Sequence, residues 1–162
     1  MTTSTADASV GRRLTELLLP HADAAVPAQQ GPTGATRYFR FSDAPPAVLR
    51  AALSEVPSAA EKRPNDQPPA AWLVDIGKKY GGRLCGSVNA SYSALRVDAI
   101  CIPAPAAAAV VEQLSQAWPG QAEAAVAEAW SGWDSTEPQW TGTGLEARNG
   151  VDQATVISLW WD

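Results

Sequence analysis

Apolar residues recur every three or four positions in four segments of the chain, a spacing typical of helices that bury one face. The pattern predicts helices over residues 9–19, 45–56, 105–118 and 121–130. Prolines mark several of their ends, because proline fits the first turn of a helix and interrupts its interior. Pro20 follows the first predicted helix, and Pro119-Gly120 separates the last two.

Other segments are rich in aromatic and β-branched residues and alternate between apolar and polar positions, which favours strands. The predicted strands cover residues 36–42, 71–77, 83–89, 94–102 and 153–161. The end of the 94–102 segment is continuously apolar, which predicts a central strand covered on both faces there. Asn149-Gly150 is the strongest hairpin signal of the chain, so we predict a strand on either side of it.

The order of these elements predicts an α+β fold, a mostly antiparallel sheet of about five to six strands with helices packed on one face. We expect residues 1–35 to form an N-terminal helix and linker, and residues 36–162 to form a single α+β domain. The proline-rich and charged segment 57–70 is expected to be a mobile loop, disordered rather than functional.

Composition excludes several classes of protein. The chain has 162 residues and a formal charge of −5, so it is the size of one domain and is a poor candidate for a duplex-DNA binder. An apolar run of ~18 residues is missing, so no membrane span is expected. Arginines 12 and 13 and the leucines that follow resemble a signal peptide, but Glu16, His21 and Asp23 interrupt the apolar stretch. We therefore expect a cytoplasmic protein.

Candidate chemistry is sparse. One histidine and two cysteines do not assemble an ordinary zinc site, and no cofactor motif is complete, so we expect neither metal nor cofactor. Cys85 and Cys101 fall in predicted strands and are expected to be reduced, with a disulfide between neighbouring strands as the alternative. Gly86 is expected to mark a bulge. Asp75 and Asp98 alternate with apolar residues and are expected to face solvent or to pair with strand arginines such as Arg37, Arg40, Arg83 and Arg96.

Tryptophan and negative charge concentrate in the second part of the chain. Residues 1–100 carry 11 basic and 9 acidic side chains, whereas residues 101–162 carry one basic and eight acidic side chains and six of the seven tryptophans. Five of these residues lie within eleven positions, in a segment that glycine and proline keep from being a regular helix. They are Trp130, Trp133, Asp134, Glu137 and Trp140.

Exposed indole rings beside carboxylates suit a partner rich in arginine and lysine, because ring faces attract cations and tryptophan is common in binding hot spots. The alternative is that the rings turn inward and fill a core that is short of leucine and phenylalanine. The partner-binding interpretation predicts a non-enzymatic protein-binding module. An acidic inhibitor or immunity-type antidote of a basic, nuclease-like toxin would have this charge. The alternative function is a small-molecule-binding domain or enzyme with a Trp-lined pocket.

Overall fold

The computed structural model describes residues 5–121, 125–129, 146–148 and 156–161, with side chains over 8–121 and 156–161. Four α-helices and seven strands make up these segments. The helices are α1 (Thr5–Leu18), α2 (Pro46–Glu55), α3 (Ala70–Tyr80) and α4 (Ala107–Ala117). The strands are β1 (Gln29–Gln30), β2 (Thr36–Ala44), β3 (Arg83–Asn89), β4 (Ala94–Pro103), β5 (Ala125–Ala129), β6 (Glu146–Arg148) and β7 (Val156–Trp161).

The strands form one sheet in the order β1-β2-β3-β4-β7-β5-β6. Every neighbouring pair is antiparallel except β5 and β6, which run parallel. The predicted α+β fold, with a mostly antiparallel sheet and helices on one face, is therefore confirmed. Strand β4 lies in the middle of the sheet, and its residues Ile100, Cys101 and Ile102 are all buried, as its apolar end predicts.

The two faces of the sheet differ in character. Side chains alternate between the faces along each strand, so one set of residues enters the core and the other set does not. Phe39 and Phe41 of β2, Leu84 of β3, Ile100 of β4 and Leu159 of β7 are at most 1% exposed. They share one core with leucines of all four helices, namely Leu14, Leu18, Leu49, Leu53, Leu73 and Leu114. The polar residues between them lie on the other face.

Helix α3 replaces the strand predicted over residues 71–77. The alternation that predicted a strand places apolar side chains at Trp72, Val74 and Ile76. A helical pattern in the same segment outweighs it. The residues that become buried include Ala70, Leu73, Val74 and Gly77, which is helical spacing. The helix ends at Gly81, whose φ of 71° is the left-handed conformation of a helix C-terminus. The alternation was therefore the weaker of two signals in the same segment.

The segment predicted as a helix over 121–130 contains strand β5 instead. Its alanines and glutamates favour a helix in isolation. In the folded chain this segment pairs with β7, where Val126 lies opposite Trp160, and pairing in the sheet outweighs local preference. Strands are present on either side of Asn149-Gly150, as predicted, but β6 and β7 do not pair as a hairpin because β5 lies between them in the sheet. Residues 149–155 themselves lie outside the described segments.

The segment 57–70 is ordered and not the disordered loop predicted from its composition. It contains two short 3-10 helical turns, Pro57–Ala59 and Pro64–Asp66. Asn65 donates a hydrogen bond of 2.8 Å to the carbonyl oxygen of Trp161, and the Arg63 guanidinium lies 4.7 Å from the centre of the Trp118 ring. These contacts tie the segment to the end of α4 and to β7.

Gln67 is the buried polar anchor of this segment. It is fully buried, and its Nε2 donates a 2.7 Å hydrogen bond to the carbonyl oxygen of Val97. Gln67→Ala is expected to lower the free energy of unfolding by about 1–3 kcal/mol, since the Val97 carbonyl is left without that partner. Urea titration measures the change, with Gln116→Ala on the exposed side of α4 as the control. Equal stability of the two variants would contradict the anchoring role.

Within the described residues, no helix combines the length and the apolarity that a bilayer crossing requires.

Candidate functional site

A row of polar side chains crosses the face of the sheet opposite the core. Arg40 on β2 pairs in register with Ser87 on β3, and Ser87 pairs with Arg96 on β4. Residues in register on antiparallel strands point to the same face, so the two arginines flank Ser87 on one surface. Alternation along β2 adds Ser42 to this face, and alternation along β7 adds Ser158.

A β-bulge places a carboxylate between the two arginines. Cys85 lies opposite Ala99 and Gly86 lies opposite Val97, so Asp98 is the extra residue on β4. The strands approach closely here, because a Cβ added to Gly86 would lie 2.0 Å from the carbonyl oxygen of Arg96. The predicted bulge at Gly86 is therefore confirmed, and glycine is the residue type that this approach admits.

Asp98 is shared by the two guanidinium groups. Its Oδ1 lies 3.3 Å from Nη2 of Arg40, and its Oδ2 lies 3.7 Å from Nε of Arg96. The Asp98 side chain is 17% exposed, whereas those of Arg40 and Arg96 are 38% and 48% exposed. Burial acts against the charge of Arg40, but the Asp98 carboxylate and a hydrogen bond with Tyr38 outweigh it and raise the pKa of Arg40.

A groove of about 430 Å³ opens beside this cluster, and we call it the polar groove. It is lined by Asp23, Arg40, Phe41, Ser42, Asn65, Cys85, Arg96, Asp98, Ala99, Ser158, Trp160 and Trp161. Its volume falls within the range of ~300–1,000 Å³ that is typical of small-molecule sites. The lining combines guanidinium, hydroxyl and indole groups from β2, β4 and β7 with the Cys85 thiol of β3. Binding groups from four strands therefore converge on one depression.

Both cysteines lie at the base of this region as free thiols. The sulfur atoms of Cys85 and Cys101 are 3.5 Å apart, and Cys85 Sγ also lies 3.2 Å from the carbonyl oxygen of Ser42. The hydrogen bond with Cys101 and burial raise the pKa of Cys85 well above its ordinary value. Cys85 is therefore a neutral thiol at neutral pH. The expected reduced state of the two strand cysteines agrees with this arrangement.

Several residues singled out from the sequence have other surroundings. Asp98 pairs with Arg40 and Arg96 as predicted, whereas Asp75 lies on helix α3 and pairs with Arg50 at 2.7 Å. His21 lies in the 3-10 turn Leu19–His21 that follows α1. The predicted partner-binding residues lie outside the described segments, so their placement stays a prediction. They are Trp130, Trp133, Asp134, Glu137 and Trp140.

The polar groove was not predicted from the sequence. Its local signal was present in β2, where Arg40 and Ser42 alternate with the core residues Phe39 and Phe41. The missing information was long-range, because Trp160 reaches the groove through the pairing of β7 with β4, and Asp98 through the bulge. Across the part of the chain that the structure describes, no three potential metal ligands cluster together.

Comparison with known proteins returns no relatives: the chain matches no protein-family model, no curated protein and no solved structure.

Proposed function

We propose that this protein is a binding domain for a small organic anion that carries a carboxylate beside a flat ring, and that the polar groove holds it. The observation that carries the proposal is the shared carboxylate of Asp98. Two guanidinium groups contact one carboxylate at 3.3 Å and 3.7 Å, so the cluster keeps one positive charge in excess. This proposal specifies the small-molecule-binding alternative favoured less strongly by the sequence.

The guanidinium groups suit a carboxylate ligand for geometric reasons. Each guanidinium has five N–H donors in a planar fork that matches two carboxylate oxygens. The contacts with Asp98 are longer than ordinary charged hydrogen bonds, which run ~2.7–2.9 Å, so the donors are not saturated by them. Asp23 also lines the groove and keeps its negative charge, although its Oδ1 accepts the backbone N–H of Ala25 at 2.8 Å. The charged side chains of the lining therefore sum to zero, and the anion is recognised by the planar forks of the two guanidinium groups rather than by a net positive charge.

The remaining lining suits a flat ring with a polar substituent. Trp160 contributes an indole to the wall, and stacked aromatic pairs add ~0.5–1.5 kcal/mol beyond the area they bury. The hydroxyl groups of Ser42 and Ser158 both donate and accept hydrogen bonds. A ring of benzoate size occupies well under half of the groove, so larger aromatic carboxylates also fit.

Calorimetric titration with matched probes tests this proposal. Benzoate is expected to bind more tightly than benzamide, which lacks the charge, and more tightly than acetate, which lacks the ring. Arg96→Lys keeps the charge and removes the planar fork, so it is expected to weaken benzoate binding about tenfold, or about 1.4 kcal/mol. Arg12→Lys is the matched control, because Arg12 is an exposed residue of α1 whose side chain is 72% exposed.

Equal affinity of the three probes for the protein would overturn the proposed ligand class. The same conclusion follows if Arg96→Lys and Arg12→Lys bind benzoate equally. A loss of acetate and benzoate binding to the same degree in Arg96→Lys, with benzamide unaffected, supports recognition of the carboxylate by the guanidinium.

The charge of residues 101–162 favours a second candidate function, the binding of a basic protein such as a nuclease-like toxin. Eight acidic side chains against one basic side chain attract such a partner and raise its association rate. Asp134→Lys combined with Glu137→Lys is expected to leave the melting temperature unchanged and to weaken capture of a basic nuclease. If this double variant unfolds the protein, the two carboxylates are structural and this candidate is withdrawn.

A further inference from the structure

The two thiols are neighbours across the β3–β4 pair. Cys85 lies opposite Ala99 and Cys101 lies opposite Arg83, so the cysteines are diagonal neighbours on the same face of the sheet. Their sulfur atoms are 3.5 Å apart, and a disulfide bond requires about 2 Å. Rotation of the side chains and a small strand movement of roughly 1–2 Å would close this gap.

Access to the pair is one-sided. Cys85 lines the polar groove and is half-buried, whereas Cys101 is fully buried. A reagent that enters through the groove therefore reaches Cys85 first, with the second sulfur atom 3.5 Å away from the first. An accessible thiol beside a resolving thiol is one feature of redox-active pairs, although the pKa of Cys85 is raised rather than lowered as in typical redox sensors.

We propose that Cys85 and Cys101 form a redox-active dithiol, which a small hydroperoxide entering the polar groove converts to a cross-strand disulfide. The proposal adds a covalent modification site to the domain. The effect of the disulfide on ligand binding rests on the proposed function, whereas the disulfide itself does not.

The chemistry balances with hydrogen peroxide as the two-electron oxidant. The Cys85 sulfur attacks one peroxide oxygen, the O–O bond breaks, and water leaves with the thiol proton, so Cys85 becomes a sulfenic acid. The Cys101 sulfur then attacks the Cys85 sulfur, the S–O bond breaks, and a second water leaves with the Cys101 proton. Two thiols and one peroxide thus give one disulfide and two waters.

The surroundings of Cys85 make this reaction slow at neutral pH. The hydrogen bond with Cys101, burial and the negative charge of Asp98 raise the pKa of Cys85, and Arg40 opposes them only weakly. Since the thiolate is the reactive form, the oxidation rate should rise about tenfold per pH unit. An ordinary cysteine levels off above its pKa of about 8.5, whereas the rate for Cys85 is expected to keep rising beyond it.

The disulfide would act on the ligand site through the bulge. Cys85 pairs with Ala99, the residue after Asp98, so drawing the two sulfurs together moves the strand beside the shared carboxylate. Asp98 sits between Arg40 and Arg96, and a shift of its position changes which guanidinium donors face the groove. The oxidised protein is therefore expected to bind benzoate with an affinity at least about threefold different from the reduced protein.

Mass spectrometry of the full-length protein tests the disulfide without any ligand. After treatment with hydrogen peroxide, the protein is expected to lose two hydrogen atoms, to lose both titratable thiols and to form no disulfide between two copies of the chain. Peptide mapping should join Cys85 to Cys101, and dithiothreitol should restore the thiols. Two free thiols after prolonged treatment at pH 9, or a product with a sulfinic acid in place of the disulfide, would overturn the proposal.

Two single variants separate the roles of the cysteines. Cys101→Ser removes the resolving thiol, so a sulfenic acid at Cys85 is expected to accumulate and to react with dimedone. Cys85→Ser leaves only the buried thiol, which is expected to resist peroxide in the folded state and to react after unfolding in urea. Equal peroxide reactivity of the two folded variants would contradict the one-sided access.

Benzoate titration of the reduced and oxidised protein then tests the coupling. If the disulfide forms and the oxidised and reduced proteins bind benzoate with different affinities, both the disulfide and its effect on the ligand site are supported. A disulfide with equal affinities contradicts the coupling, and a disulfide in a protein that binds none of the probes contradicts the proposed function while leaving the dithiol chemistry in place.

Discussion

Gly86→Ala is expected to lower the free energy of unfolding by about 3 kcal/mol or more, at or above the top of the range typical of overpacked sites. The added Cβ would lie 2.0 Å from the Arg96 carbonyl oxygen and 2.6 Å from the Phe41 ring. The first contact involves backbone, so no change of rotamer relieves it. Strands β3 and β4 must separate, and the fully buried Phe41 must move with them.

Chemical denaturation with Gly31→Ala as the control measures this cost. A Cβ at Gly31 meets the Ala35 carbonyl oxygen at 3.5 Å, an ordinary contact, so this control carries the same change of residue without the overlap. Its stability is expected to stay within about 0.5 kcal/mol of the parent protein. If the two variants are equally stable, the close approach of β4 to Gly86 is wrong.

The same variant links the fold to the ligand site. The bulge opposite Gly86 sets the position of Asp98, and Asp98 holds Arg40 and Arg96 together. Gly86→Ala is therefore expected to weaken benzoate binding as well as stability, although no atom of Gly86 lines the groove. The geometry of Arg40, Asp98 and Arg96 therefore depends on how closely the β3 and β4 backbones approach each other at Gly86.

The sequence predicted the elements whose local pattern agrees with their place in the sheet. Strands β2, β3 and β4 and helices α1, α2 and α4 follow from spacing alone. The wrong predictions fall where the local pattern and the tertiary environment disagree. Residues 125–129 prefer a helix locally but pair with β7, and residues 70–80 carry two superimposed patterns of which the helical one prevails.

Only individual contacts of the site were predictable from the sequence. Because Asp98 follows a strand pattern and arginines occupy neighbouring strands, the ion pair with Arg40 could be expected from the sequence. The groove could not, because it depends on the strand order that places β7 beside β4 and on a register shift of one residue. The sequence offered a contact between Cys85 and Cys101 only as an alternative, because the register of β3 and β4 decides whether the two sulfur atoms meet.

Leu14→Ala is expected to lower the free energy of unfolding by about 2–5 kcal/mol, the cost of a cavity at a fully buried leucine. Leu14 of α1 is 0% exposed and belongs to the same core as Phe39, Leu49 and Leu159. Leu19→Ala is the control, since Leu19 is 38% exposed and the variant should stay within about 0.5 kcal/mol of the parent protein.

The prediction for Leu14→Ala also concerns the number of unfolding transitions. Because α1 shares its core with the sheet, Leu14→Ala is expected to shift one cooperative transition that circular dichroism and tryptophan fluorescence both follow. An early circular-dichroism transition that tryptophan fluorescence does not follow would instead show that residues 1–35 unfold as a separate segment. Unchanged stability would remove α1 from the core altogether, and with it the close contact between Gly11 of α1 and the Ala90 carbonyl oxygen.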